Sequence, residues 1–408
     1  MRNTFHLKTL TVAVAVLSIT SIASAAGLDR SGQDVTAFLQ DGTYAEAVYT
    51  YIDADVTGND VSGNKIGDIA ESYDFFRYGV KADVNETFSV GILYDEPFGA
   101  AADYSGDNNF VDQNTASPRN GEGTNVEVRT ESITAIVGAK FGENKNFQVY
   151  GGPVAQRVQA DVKLRGAAYS AANGYTTHIS TDQEYGYIAG VAYSKPEIAL
   201  KAALTYRSEI KHTADAAEIY PFVDSGLIPD SAISALGLSS SRSSSIDITT
   251  PESVNFDFQT GINPTTLATA KVRWVPWSDF AIVPSLYNGV SQLSYGPDGL
   301  PLVSYDEDQW VVELGLAKRL APALAVSGTV GWDSGAGNPV TSLGPTEGYY
   351  SAGLGAKYNV TENWAISAGG KYLWLGDADG QVPTGDTVAN FENNDGFVLG
   401  VKVSYQAL

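Results

Sequence analysis

The feature that most constrains this chain is an alternation of apolar and polar residues that recurs along its length. At the C-terminal end Phe397, Leu399, Val401, Val403 and Tyr405 share one face of an extended strand. Val398, Gly400, Lys402, Ser404 and Gln406 share the other. Strand side chains point alternately to opposite faces, so one face suits lipid and the other a mostly polar interior. Upstream, Trp364, Ile366, Ala368, Gly370, Tyr372 and Trp374 alternate with Asn363, Ala365, Ser367, Gly369, Lys371 and Leu373. Tyr350, Ala352, Leu354, Ala356 and Tyr358 do the same against Ser351, Gly353, Gly355, Lys357 and Asn359. One such segment would equally suit a soluble sandwich. Repetition, with aromatics bracketing the apolar faces, is the signature of a membrane barrel. No segment beyond the N-terminal one supplies the ~20 consecutive apolar residues of a membrane helix, and a closed barrel needs none.

The connections give the topology. Short turns fall near 83–86, 142–146, 195–197, 261–265, 321–323 and 359–363. Between them lie long stretches rich in Gly, Asp, Asn, Ser and Pro, at 97–124, 209–250, 288–306, 333–346 and 376–393. Short periplasmic turns alternating with long external loops fit an outer-membrane barrel. The strands expected are 43–56, 69–81, 86–95, 125–141, 146–164, 178–194, 197–210, 250–259, 266–287, 308–320, 324–334, 346–358, 362–374 and 393–406. This is an all-β, transmembrane antiparallel barrel of about fourteen strands, with both termini periplasmic and some strands projecting beyond the lipid. Pro276 and Pro284 are positioned to split or bend the ninth strand. Helical patterns are weak, at 31–40 and 230–238.

The N-terminus reads as a secretory signal peptide. Arg2 and Lys8 precede the apolar run Leu10 to Ile22, and Ala23-Ser24-Ala25 is a small-x-small cleavage pattern. Residues 1–25 are thus expected to be removed. Residues 26–42 precede the first strand, as a soluble stub or as a small plug in the lumen, and the barrel occupies 43–408.

Composition excludes several functions. The chain has no cysteine and three histidines, His6, His178 and His212, which form no local metal motif. With 25 Lys+Arg against 47 Asp+Glu it carries a formal charge of −22, opposite to what nucleic-acid binding requires. The acids gather in loop-like stretches, such as Asp103, Asp107 and Asp112, where they solubilise the surface or weakly attract divalent cations. No nucleotide or phosphate fingerprint is present. Serines abound at 239–245, yet no Gly-x-Ser-x-Gly elbow accompanies them, which leaves an outer-membrane hydrolase without a recognisable nucleophile.

Several ordered segments carry a family resemblance. They are Asp83 to Gly91 with Pro97-Phe98-Gly99, Tyr206 to His212, Pro251 to Val254, Trp274 to Phe280, and Asp308-Gln309-Trp310. With these the chain resembles the outer-membrane long-chain fatty-acid and hydrocarbon transporters, the FadL/TodX-like family that includes the toluene-uptake proteins. The resemblance implies a fourteen-stranded barrel closed by an N-terminal hatch, here residues 26–42. It also implies capture of hydrophobic ligand between external loops, an internal pocket, and sideways exit beside an inward-kinked strand. Transport would be passive, with no cofactor. The family's Asn-Pro-Ala hatch signature is missing, and Gly27 to Gln33 reads as a divergent, shorter hatch.

A fatty-acid carboxylate needs buried cationic donors, because a charge-assisted pair offsets part of its desolvation. Arg207 and Lys211, at a strand–loop boundary, are the first candidates, and Arg157 and Arg165 the next. The alternative role of all four is to balance nearby acids. Apolar residues in a solvated loop are costly unless they pack together or meet a ligand. Tyr220, Phe222, Leu227, Ile228 and Leu236 therefore form a candidate capture groove. A second patch runs through Leu293, Tyr295, Leu300, Leu302, Val303 and Tyr305. The expected function is uptake of long-chain fatty acids or similar hydrophobic molecules by a monomer in outer-membrane lipid, without metal or cofactor and without enzymatic activity. A general diffusion porin and a structural or adhesive barrel share the alternation and stand as alternatives.

Overall fold

The computed structural model describes residues 27–407, and the signal-peptide expectation lies outside the described residues. Fourteen antiparallel strands close into a barrel. They are β1 (Thr43–Asp55), β2 (Tyr73–Asp83), β3 (Phe88–Asp95 and Gly99–Asp103), β4 (Asn125–Phe141), β5 (Phe147–Lys163), β6 (Thr176–Lys195) and β7 (Leu200–Arg207 and Ile210–Ile219). There follow β8 (Ser241–Thr250 and Ser253–Asn263), β9 (Thr266–Val275), β10 (Gln309–Ala321), β11 (Leu324–Asp333), β12 (Tyr349–Asn359), β13 (Trp364–Leu375) and β14 (Asp395–Ala407). The ring closes where β1 pairs with β14, from Thr43↔Ala407 to Asp55↔Asp395. A single chain thus closes the sheet on itself, as lipid requires, with one gap beside β2.

The alternation seen in the sequence sorts residues to the two faces. In β10, Gln309, Val311, Glu313 and Ala317 are buried in the lumen, while Trp310, Leu314 and Leu316 face outward. Outward aromatics mark two levels. Trp310, Trp332, Tyr350 and Trp374 lie toward the loops, and Phe141, Phe147, Tyr358 and Trp364 toward the short turns. Such girdles sit where strands cross the membrane interfaces. Strands β4 to β8 continue well past the upper girdle.

Three strands are interrupted, and the interruptions shape the interior. Strand β3 breaks at Glu96-Pro97-Phe98, since Pro97 has no N–H to give to a ladder. Pairing of β2 with β3 ends at Tyr78↔Tyr94, and the outer half of β3 pairs with β4. No backbone ladder therefore joins Tyr73–Arg77 to the break, although an Ala70↔Ala102 bridge restores contact above it. Strands β7 and β8 break at Ser208-Glu209 and Pro251-Glu252, at matching heights.

Some expectations need correction. The stretch 209–250 is largely a hairpin extension of β7 and β8 and not a loop, because Ile210, His212, Ala214 and Ala216 keep the period of two. The expected strand 266–287 ends at Val275. Pro276 stops the ladder, and the chain re-forms as helix α2 (Ser285–Tyr295) after Pro284. Helix α1 (Asp230–Leu236) forms as expected and is stopped by Gly237 at φ 59°. The helical pattern at 31–40 gives turns instead of a helix.

Gly27 to Gly42 lies inside the barrel. Gly27 has φ +55°, and a Cβ there would come within 2.4 Å of the Trp277 ring, so only glycine fits this approach. Above the barrel, Gly58–Asp60, Lys65–Ile66, Val340–Thr341, Ala378–Gln381 and Thr387–Phe391 form a separate five-stranded sheet from the external loops.

Candidate functional site

Two apolar linings belong to one buried apolar cluster, one among the external loops and one at the broken wall. The inner one gathers Leu28 from the N-terminal segment, Phe98 at the β3 break, Val128 and Val158 from β4 and β5, Ile248 near the β8 break, and Trp277. Trp277 is fully buried, meeting the rings of Phe98 at 5.5 Å and Phe280 at 5.3 Å edge to face. Its Nε1–H donates to Gln309 Oε1 at 2.9 Å, which satisfies the one polar atom of the indole. The remaining space is about 10 Å³. That is barely one water molecule, so a ligand enters here only as side chains move.

The outer lining is roomier. A cleft of about 360 Å³ lies among Tyr169, Tyr220, Phe222, Tyr287, Leu293 and Leu300, with Val382 and Val388 from another loop. Tyr220 and Tyr287 stack with ring centroids 6.1 Å apart, and Tyr175 packs edge-on to both. Burial pushes the Tyr220 and Tyr287 phenols well up from their ordinary value, so both stay neutral. Helix α2 forms one wall. Pro284 offers no capping side chain, and Glu218 of β7 takes that role from outside, accepting from the amides of Leu286 and Tyr287 at 2.9 Å each.

The N-terminal segment is tied to the wall by charge. Asp29 accepts from Arg273 Nε at 2.7 Å and Nη2 at 3.0 Å, and Gln33 accepts from Arg273 and from Ser253. Asp34 pairs with Lys271 at 2.7 Å and Arg77 at 3.6 Å. The Lys81 ammonium donates to the carbonyls of Gln40 and Gly42 at 2.7 and 2.9 Å. At the β3 break the Arg30 N–H donates to Pro97 O at 2.8 Å, Gly99 N–H to Leu28 O at 2.7 Å, and Ser31 Oγ to Asp95 at 2.9 Å. The segment thus supplies the partners that the broken strand lacks.

The expected site residues fall in different places. Arg207 is luminal and 4% exposed, donates to Thr134 at 3.1 Å, and leaves its Nε without a partner. Lys211 and Arg157 point outward, where they meet Asp247 at 2.7 Å and Gln183 at 3.0 Å, because their positions carry the outer phase of the alternation. Arg165 is buried in a loop and engaged by Glu122, Thr176 and the carbonyls of Leu164 and Tyr175. Tyr220 and Phe222 line the outer cleft, joined there by Leu293, Tyr295 and Leu300 of the second patch. Ile228 is buried, and Leu227 and Leu236 are exposed beyond the cleft. Phe98 and Trp277 fall in the family-like segments but, like Tyr169 and Tyr287, were not among the expected site residues. Pro97 and Pro276 beside two of them are the signals that mark where the wall changes.

Among the described residues no group of three or more His, Asp or Glu is placed to hold a metal. The features of the arrangement are apolar linings, an inserted segment and broken strands. This is an outer-membrane β-barrel of the Gram-negative type whose lumen holds its own N-terminal segment. The family model for the outer membrane protein transport proteins (OMPP1/FadL/TodX) matches residues 38–406, and the chain belongs to that family. No curated protein matches the sequence significantly. Among solved structures, a FadL homologue of Pseudomonas aeruginosa shares 16% identity with TM-score 0.69, covering 98% of this chain and 97% of that one. The toluene transporter TodX of P. putida follows at 12% and 0.58, with 94% of each chain covered. The toluene transporter TbuX of Ralstonia pickettii gives 11% and 0.58, covering 99% and 100%. At such identities the likeness is one of fold.

Proposed function

We propose that this barrel takes up hydrophobic molecules, long-chain fatty acids or hydrocarbons, down their gradient, and that they leave sideways between β2 and the break in β3. The observation that carries this reading is one buried apolar cluster that joins the outer cleft to an inner lining beside the place where the β2–β3 ladder stops. Apolar surface gathered in external loops is costly unless it meets a ligand. The related structures of TodX and TbuX are of toluene transporters, which supports hydrophobic cargo here. Residues 26–42 act as the hatch and the rest of the chain as the barrel. Closure of the ring within one chain supports a monomer.

The test is uptake of a radiolabelled long-chain fatty acid, and in parallel of toluene, by bacteria lacking their own outer-membrane fatty-acid transporter. A small sugar serves as control. Saturable uptake of either hydrophobic probe, with the sugar excluded, is expected. Faster entry of the sugar alone would make the protein a diffusion porin.

A further inference from the structure

The inserted segment occupies one side of the lower lumen, against β2, β3, β4 and β7. On the other side a vestibule of about 1040 Å³ opens at the periplasmic turns, with Tyr44, Lys357, Ala365, Ser404 and Gln406 among its lining. Several cations of the lumen are matched by carboxylates, whereas Arg207 donates to Thr134 and Lys201 to the Leu39 carbonyl. Arg273 meets Asp29, Lys271 meets Asp34, Arg77 meets Asp34 and Glu46, Lys371 meets Glu313, and Lys402 meets Glu46. Lys357 lacks even a hydrogen-bond acceptor among the described residues. It is 4% exposed, and no carboxylate among the described residues pairs with it. The charge acting on it is that of Lys402, which has the same sign. Directly across the ladder stands Ser367, itself 1% exposed, whose Oγ has no hydrogen-bond partner.

We propose that Lys357, in the lining of the periplasmic vestibule, and Ser367, its ladder neighbour just behind that lining, form an oxyanion site taking a carboxylate or phosphate group. A buried ammonium is unfavourable without a counter-charge, and a buried hydroxyl without an acceptor adds to the cost. One oxyanion between them answers both, by a charge-assisted bond to Nζ and a second bond from Oγ. The vestibule has room for the group and for whatever carries it. Arg319, at the rim, adds a positive charge along the approach, while the rim acid Glu362 is exposed to water. Carboxylate and phosphate share this chemistry, and the source is either the head group of a cargo molecule or a free periplasmic anion. This site lies apart from the outer cleft and inner lining and does not depend on the route proposed for hydrophobic cargo.

The test uses the folded mature protein in non-ionic detergent, with trifluoroacetate as a ¹⁹F NMR probe and heat-modifiable gel mobility to verify folding. Saturable broadening of the probe signal is expected. Lys357→Met should weaken it by about tenfold or more, Lys357→Arg should keep it within about threefold, and Lys318→Met, an exposed control, should leave it unchanged. Displacement by decanoate well below the phosphate concentration needed would assign the site to a cargo head group. Equal displacement by inorganic phosphate would assign it to a free anion, and either result upholds the site. Absence of saturable broadening, or a Lys357→Met titration matching the unaltered protein, would overturn it.

Discussion

Asp29 and Arg273 meet through a two-pronged ion pair inside the barrel, with Nε–Oδ2 at 2.7 Å, Nη2–Oδ1 at 3.0 Å and Asp29 wholly shielded from solvent. The fork geometry is specific to arginine. Arg273→Met would leave the Asp29 carboxylate buried and unpaired, a loss of roughly 3–5 kcal/mol at a site of this kind. The wall itself is held by backbone ladders and stays closed. We expect faster hydrogen exchange in residues 27–42, and entry of small polar solutes, while barrel strands keep their protection. Asp29→Asn combined with Arg273→Met should recover much of the difference. Unchanged exchange in the single variant would show that Asp34 and apolar packing suffice to hold the segment.

Arg30 occupies the break in β3. Its guanidinium lies 4.1 Å from the Tyr73 ring centroid, and a Cβ on Gly99 would come within 2.3 Å of its Cζ. If cargo leaves here, this cation–π contact is part of the barrier. At about 1 kcal/mol it is worth roughly fivefold in rate. Arg30→Ala is expected to raise uptake of a hydrophobic probe by that order at saturating concentration. A rate that does not move would place the exit elsewhere.

Glu347 gives the external loops a pH response. Burial, helped by the nearby Glu307 charge, pushes its carboxyl up from 4.5 to about 7 against the opposing amides of Ala336 and Gly337. The folded loop therefore favours the protonated form. Its stabilising contribution is complete below the ordinary carboxylate range and is lost as pH rises through about 7. Exchange protection of loop amides near residues 334–348, corrected for intrinsic rates, should fall between pH 5.5 and 8. Glu347→Gln should flatten that dependence; a slope that persists would assign it to another group.

The barrel was legible because lipid imposes one rule on every strand. Trp310, Leu314 and Leu316 outward against Gln309, Val311 and Glu313 inward is readable from spacing alone. The interior was less so. Arg207 and Lys211 are four residues apart and share a phase, yet the break at Ser208-Glu209 and the start of a new strand put one inside and the other outside. A count of two along a strand fails wherever the ladder is interrupted. The outer cleft depends on contacts between distant loops. Tyr220 and Phe222 were visible as misplaced apolar residues, but their meeting with Leu293 and Leu300 follows from a helix, Ser285–Tyr295, in a stretch that read as the end of a strand and a loop.

That helix depends on a residue far from it in sequence. Glu218, at the end of β7, accepts the amides of Leu286 and Tyr287 and the Tyr175 hydroxyl at 2.9 Å each. First-turn amides have no partner within their own helix, and the positive end of the helix dipole favours a carboxylate there. Leu286 is fully buried, so water cannot replace Glu218. Glu218→Ala should cost about 1–2 kcal/mol locally and release α2 from the cleft wall. If the cleft captures cargo, uptake at low probe concentration falls about tenfold, while uptake at saturation changes little, because a capture site acts on affinity more than on passage. Equal losses at both concentrations would mean that α2 supports the passage itself. Loss of the helix, seen by exchange, with uptake unchanged at every concentration would remove the cleft from the route.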